Sequence, residues 1–109
     1  MAGGLSLTTT EMQARSAEAA AFLKLFAHPD RLMIACALVE GEQPVSGLEA
    51  LLGIRQPGLS QQLAALREAG LVATRREGKA VFYRLADART ETFIATLHQL
   101  FCVPEAPAP

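Results

Sequence analysis

LEALLGIRQPGLSQQLAALREAGLVATRREGKAVFYRL, residues 48–85, is the stretch that decides the fold. Leu48 to Leu52 fits a short helix that Gly53 closes, because glycine takes the left-handed backbone of a helix C-terminus without penalty. A second helix begins near Pro57 and ends before Gly70, with Leu59, Leu63 and Leu66 spaced as one buried stripe. Val72–Arg76 and Lys79–Leu85 then read as strands joined by a Glu77-Gly78 turn. Helix, tight break, helix and basic hairpin is the order of a winged helix-turn-helix, an element built to hold a helix in the DNA major groove.

Upstream, an amphipathic helix is expected from about Thr10, with Met12, Ala19, Leu23 and Phe26 on one stripe and the small Ser16 filling it. His28-Pro29-Asp30 ends it and starts the next helix, since proline suits a first helical position and an aspartate favours the positive end. That helix runs to about Val39, with Leu32, Cys36 and Val39 on the face expected inward. Gly41 and Pro44 break the chain, and Ser46 is the expected N-cap of the third helix, Gly47 to Leu52. Asp87 caps a last helix whose Phe93, Ile94, Leu97, Leu100 and Phe101 share one side.

The expected fold is therefore mainly α with a β-hairpin wing, four helices, two strands and a closing helix. Residues 10–103 form the winged helix-turn-helix domain, between a Gly-rich flexible N-terminus (1–9) and a Pro/Ala tail (104–109). One small reading head has little area to cover the apolar faces of both terminal helices. A two-fold homodimer through those helices is the economical solution.

The 109 residues fit one domain, and a formal net charge of −1 excludes a globally basic protein. Charge is nonetheless segregated. Residues 1–50 carry Arg15, Lys24 and Arg31 against Glu11, Glu18, Asp30, Glu40, Glu42 and Glu49, a net of −3. Residues 51–84 carry Arg55, Arg67, Arg75, Arg76, Lys79 and Arg84 against Glu68 and Glu77, a net of +4. Cations gathered on the reading head are the footprint of a phosphate-binding surface. No apolar run approaches a membrane span and no signal core is present, so a cytoplasmic protein with no membrane partner is expected.

Short polar side chains near the start of a recognition helix reach base edges, and here they are Gln56, Ser60, Gln61 and Gln62. Arg67, Arg75, Arg76 and Lys79 are the candidates for phosphate contact or for a wing in the minor groove. The expected partner is double-stranded DNA.

The sequence resembles the ArsR family of bacterial winged-helix repressors. LFAHPDRLMIACAL (25–38) is similar to its second-helix signature, and QPGLSQQLAALREAGLVATRREGKAVFYRL (56–85) to its recognition helix and wing. The likeness spans about Ala17 to Val103. It implies a homodimer, with the terminal helices at the interface, that binds a palindromic operator and dissociates when an inducer binds.

Two departures bear on the inducer. Where many members carry a Cys-Val-Cys metal element, this chain has Gln43-Pro44-Val45-Ser46. Where others bind zinc through the last helix, Asp87 is followed by Arg89 and only His98 lies in the helix. Neither cluster supplies the three or four ligands zinc requires, so no metal and no cofactor are expected. Two separated cysteines, Cys36 and Cys102, remain as either packed thiols or redox-active ones. Their placement resembles the persulfide- and polysulfide-responsive BigR/SqrR branch of the family. That resemblance implies a repressor that binds DNA when reduced and is released when reactive sulfur species link the two thiols. A direct disulfide needs Cα atoms roughly 4.4–6.8 Å apart; a pair held slightly wider would favour a bridge with extra sulfurs. Repressors of another thiophilic or oxidant inducer (arsenite, peroxide) and a constitutive DNA-binding protein stand as alternatives. A thiol oxidoreductase lacks its Cys-x-x-Cys, and no enzyme is expected.

Overall fold

A computed structural model describes residues 8–102, so the expectations for residues 1–7 and 103–109 lie outside the described residues. Helix α1 spans Thr9–Leu25, one residue earlier than the apolar period suggested. The Thr8 hydroxyl accepts from the Glu11 amide at 3.0 Å, satisfying one of the amides that a helix start leaves unpaired. Helix α2 spans Pro29–Val39 with proline in its first turn and His28 as N-cap, the ring Nδ1 accepting from the Asp30 amide at 3.1 Å. The inward face of α2 is Ile34, Ala35, Ala37 and Leu38. Leu32, Cys36 and Val39, expected inward, are only half-buried at the margin of the core. The helix is apolar almost all round from Leu32 to Val39, so periodicity alone could not choose its face.

Strand β1 is the pair Gln43–Pro44, which the sequence did not suggest, because two residues carry no alternation and proline discourages a strand reading. Helix α3 follows at once as Val45–Leu52, so Ser46 lies inside it and caps nothing; Pro44 holds the N-cap position without a side-chain bond. Gly53 ends α3 at φ +67°, in the left-handed region that makes glycine the natural stop. Helix α4 spans Gly58–Glu68. Its Leu59, Leu63 and Leu66 are fully buried, as their spacing predicted.

Strands β2 (Val72–Glu77) and β3 (Ala80–Leu85) pair antiparallel, from Val72 opposite Leu85 to Glu77 opposite Ala80. The turn is Gly78-Lys79 rather than Glu77-Gly78. Gly78 at φ +61° takes the first turn position, the arrangement a tight hairpin wants from glycine. β1 adds to the other edge of β3, giving a three-stranded sheet ordered β1-β3-β2. Helix α5, Ala88–Phe101, starts with the Asp87 carboxylate accepting from the Arg89 amide at 2.8 Å.

One core joins these elements: Ile34 and Leu38 of α2, Leu48 of α3, the three leucines of α4, Leu71 and Val72 before and in the wing, and Ile94 of α5. Phe22, Phe26 and Phe93 pack with ring centroids 5.2–5.5 Å apart, fixing α1 against α5. Arg89 lies over Phe22 and pairs with Glu18 at 2.9 Å, a second tie between the same helices. Beyond these contacts and the buried Thr90 and Ile94 of α5, the terminal helices turn exposed faces outward. None of the seventeen residues of α1 is buried, and Met12, Leu23, Leu100 and Phe101 expose about half or more of their surface.

Candidate DNA-binding site and thiol pair

α4 turns its leucines to the core, and the opposite face presents Ser60, Gln61, Ala64 and Arg67 to solvent. Gln56 is exposed just before the helix, but its Oε1 accepts from the Ser60 amide at 3.0 Å. It therefore supplies the cap that Pro57 cannot, a role invisible in the sequence because Pro57 holds the N-cap position. Gln62 departs further from its expected place. It is half-buried, its Oε1 accepting from Arg31 Nε at 2.7 Å and its Nε2 lying 3.3 Å from His28 Nε2.

The four cations divide in the same way. Arg67 and Tyr83 line two adjoining grooves: one runs along α4 past Ser60 and Ala64, the other along the wing past Thr74, Arg76 and Val81. Lys79 and Ser46 line a third hollow between the turn end of the wing and the start of α3. Arg67, Arg76 and Lys79 make no ion pair among the described residues.

Arg75 is committed elsewhere. Its Nε and Nη2 donate to the two Glu42 oxygens at 2.8 and 2.7 Å, and its Nη1 donates to Glu77 at 2.6 Å. The side chain crosses the ring of Phe82, its β3 partner, at 4.6 Å to reach Glu42, the residue before β1. Hydrogen bonds donated to Glu42 and then to Glu77 raise the guanidinium's pKa further, and the bond to Glu42 holds that carboxyl below its ordinary value. Arg75 and Arg76 are neighbours in sequence, yet one is a strap across the sheet and the other carries uncompensated charge. Alternation along β2 hints at opposite faces; the identity of the strap's partner, 33 residues away, has no local signal. Tyr83, on the floor between helix and wing, was also missed, because a tyrosine in a strand reads first as packing.

Both cysteines are free: Cys36 half-buried on α2, Cys102 exposed at the end of α5. Burial pushes the Cys36 thiol above its ordinary 9.0, and negative charge at Cys102 and then Glu40 pushes it the same way. Helix α2 packs against α5, so the two thiols stand on elements in direct contact. At the start of α5, the position two residues after Asp87 holds Arg89, tied to Asp87 and Glu18 at 2.7 and 2.9 Å. Among the described residues, no three His, Cys, Asp or Glu side chains gather as a metal site. No helix among them is long and apolar enough to cross a membrane.

The short α3 followed by the polar-faced α4, with a basic hairpin beside them, defines a winged helix-turn-helix protein. The model of the bacterial regulatory protein family arsR matches residues 28–74. The biofilm growth-associated repressor of Agrobacterium fabrum is 56% identical over 94 residues, covering 86% of this chain and 80% of that protein. The transcriptional activator HlyU of Vibrio cholerae is 41% identical over 99 residues, 91% of this chain and 92% of that one. The crystal structure of the transcriptional repressor BigR from Xylella fastidiosa superposes with a TM-score of 0.86 at 48% identity, covering 90% of this chain and all of that one. The chain belongs to the ArsR family of bacterial regulatory proteins.

Proposed function

We propose that this protein is a homodimeric transcriptional repressor that binds a palindromic operator with both thiols reduced and is released when reactive sulfur species bridge Cys36 and Cys102. The observation that carries the proposal is the pairing of an open reading face with two free thiols on the packed helices α2 and α5, outside that face. Ser60 and Gln61 read base edges, while Gln56 caps the start of their helix. Arg67, Arg76 and Lys79 meet phosphates, and Arg75 sets the wing's angle. Repression, rather than activation, follows the sense of the relatives named as repressors.

Dimerisation through α1 and α5 covers Met12, Leu23, Leu100 and Phe101. It also sets the two copies of α4 roughly 34–36 Å apart, one turn of DNA. A covalent tie between α2 and α5 shifts the reading heads relative to the dimer helices, and a small rotation misplaces both copies of α4 together.

The exposed Cys102 is the first nucleophile. Its thiolate attacks an inner sulfur of a polysulfide, forming a Cys102 hydrotrisulfide and expelling the shorter polysulfide. The Cys36 thiolate then attacks the middle sulfur, hydrosulfide leaves, and a trisulfide joins the residues. The polysulfide is the oxidant, each thiol gives up one proton, and no other reactant is needed. Burial raises the pKa of Cys36 and makes it a poor first attacker, whereas in the second step its target is already held on the packed α5.

The test is affinity for an operator duplex before and after polysulfide treatment, in wild type, Cys36→Ser and Cys102→Ser. Release in the wild type and retention in both variants is expected. Equal release in all three sinks the two-thiol switch.

A further inference from the structure

Gln62 stands in the helix that carries Ser60 and Gln61, but its side chain turns back into the protein. Arg31 Nε donates to Gln62 Oε1 at 2.7 Å, a short charge-assisted bond between α2 and α4. The same guanidinium donates through Nη1 to the Leu25 carbonyl at 3.3 Å. Leu25 is the last residue of α1, where carbonyls lack helical partners and attract a cation. One arginine therefore ties together the end of α1, the first turn of α2 and the recognition helix.

His28 closes the cluster without competing for the tie. Its Nδ1 accepts from the Asp30 amide, and a neutral imidazole has only one acceptor nitrogen. It serves the Asp30 amide through Nδ1 or the Gln62 amide 3.3 Å away through Nε2, one tautomer for each, and in both the Gln62 oxygen is left to Arg31. Arg31 is thus the partner that fixes Gln62. A glutamine reading adenine needs its oxygen and nitrogen both turned to the base, and here the oxygen is occupied.

We infer that Gln62 is a positioning residue rather than a base reader: through Arg31 it sets the angle of α4 against α2. The inference rests on the DNA-binding reading proposed above. It also gives that reading a route, because α2 carries Cys36 five residues beyond Arg31, and a displacement of α2 reaches α4 through this bond.

The experiment uses the full chain and random-sequence duplexes, from which the wild type selects its preferred site. Affinity and single-base-pair preferences at that site are then measured for Gln62→Ala, Gln62→Glu, Arg31→Met and the double variant Arg31→Met/Gln62→Ala. Gln62→Ala and Arg31→Met each weaken binding about tenfold with unchanged base preferences, and the double variant is no weaker than either. Gln62→Glu, whose carboxylate still accepts from Arg31, stays within about threefold of wild type. Relaxed preference at one base pair of each half-site in Gln62→Ala makes Gln62 a reader and overturns the inference. Additive losses in the double variant, or wild-type affinity in Gln62→Ala, overturn it equally. A wild type that selects no sequence removes the DNA-binding reading, and this inference with it.

Discussion

Arg75→Gln and Arg76→Gln remove the same charge from adjacent positions of β2, and they are expected to act on DNA binding in different ways. Each phosphate neutralised contributes about 0.9 to the slope of log affinity against log salt. Arg76 has no carboxylate partner among the described residues, so a dimer that loses it loses two phosphate contacts and about 1.8 of slope. Between 50 and 200 mM salt that slope corresponds to about 1.1 log units, so the variant's affinity falls roughly twelvefold less than the wild type's. Arg75 is held by Glu42 and Glu77 at 2.6–2.8 Å, so its charge is already spoken for. Its loss removes the side-chain strap from β2 to Glu42 and lowers affinity at every salt concentration by a similar factor, leaving the slope close to wild type. Fluorescence anisotropy of a labelled operator duplex across that salt range reads both quantities. Equal slope reductions in the two variants would refute the division between strap and phosphate contact.

Leu63→Ala empties a site that is 1% exposed in the stripe holding α4 to the core, and is expected to cost about 2–5 kcal/mol in urea denaturation; a loss under 1 kcal/mol would mean α4 is not anchored there. Asp87→Ala removes the α5 cap and is expected to cost about 1 kcal/mol near neutral pH. Arg89 holds the Asp87 carboxyl below its ordinary 3.8, so the stabilisation is complete above that value and disappears as pH falls through the lower folded one. A stability difference between wild type and variant that stays constant down to pH 2 contradicts this. In Cys102→Ser protein, alkylation of Cys36 is expected to rise about tenfold per pH unit from 7 to 8.5 and to run slower than in the unfolded chain; a pH-independent rate contradicts the raised thiol pKa. Leu100→Asp and Phe101→Asp together shift sedimentation toward monomer if α5 is the dimer face, and leave it unchanged if another surface is used.

The recognition unit was legible because its signals are local. Leu59, Leu63 and Leu66 share one helical stripe, Gly53 stops a helix, and Gly78 turns a hairpin within a few residues of the elements they define. The face of α2 was not legible, since a helix apolar nearly all round offers no contrast to read. The two-residue β1 exists only because β3 is there to pair with it, and its proline argues the other way. Side-chain roles that depend on distant partners were equally silent. Gln62 looks like Gln61 until Arg31 is placed beside it, and Arg75 looks like Arg76 until Glu42 is. The thiol pair was suggested by family resemblance, whereas the packing of α2 on α5, which sets their two helices together, has no local signal.

The central claim is that one covalent link between α2 and α5 controls an otherwise intact reading face. It is tested most directly by measuring operator affinity and intact mass on the same samples along a polysulfide titration, followed by reduction. The account predicts that the bound fraction falls in proportion to protein carrying the intramolecular sulfur bridge and returns fully on reduction. Fully bridged protein that still binds the operator with the affinity of the reduced form would contradict it.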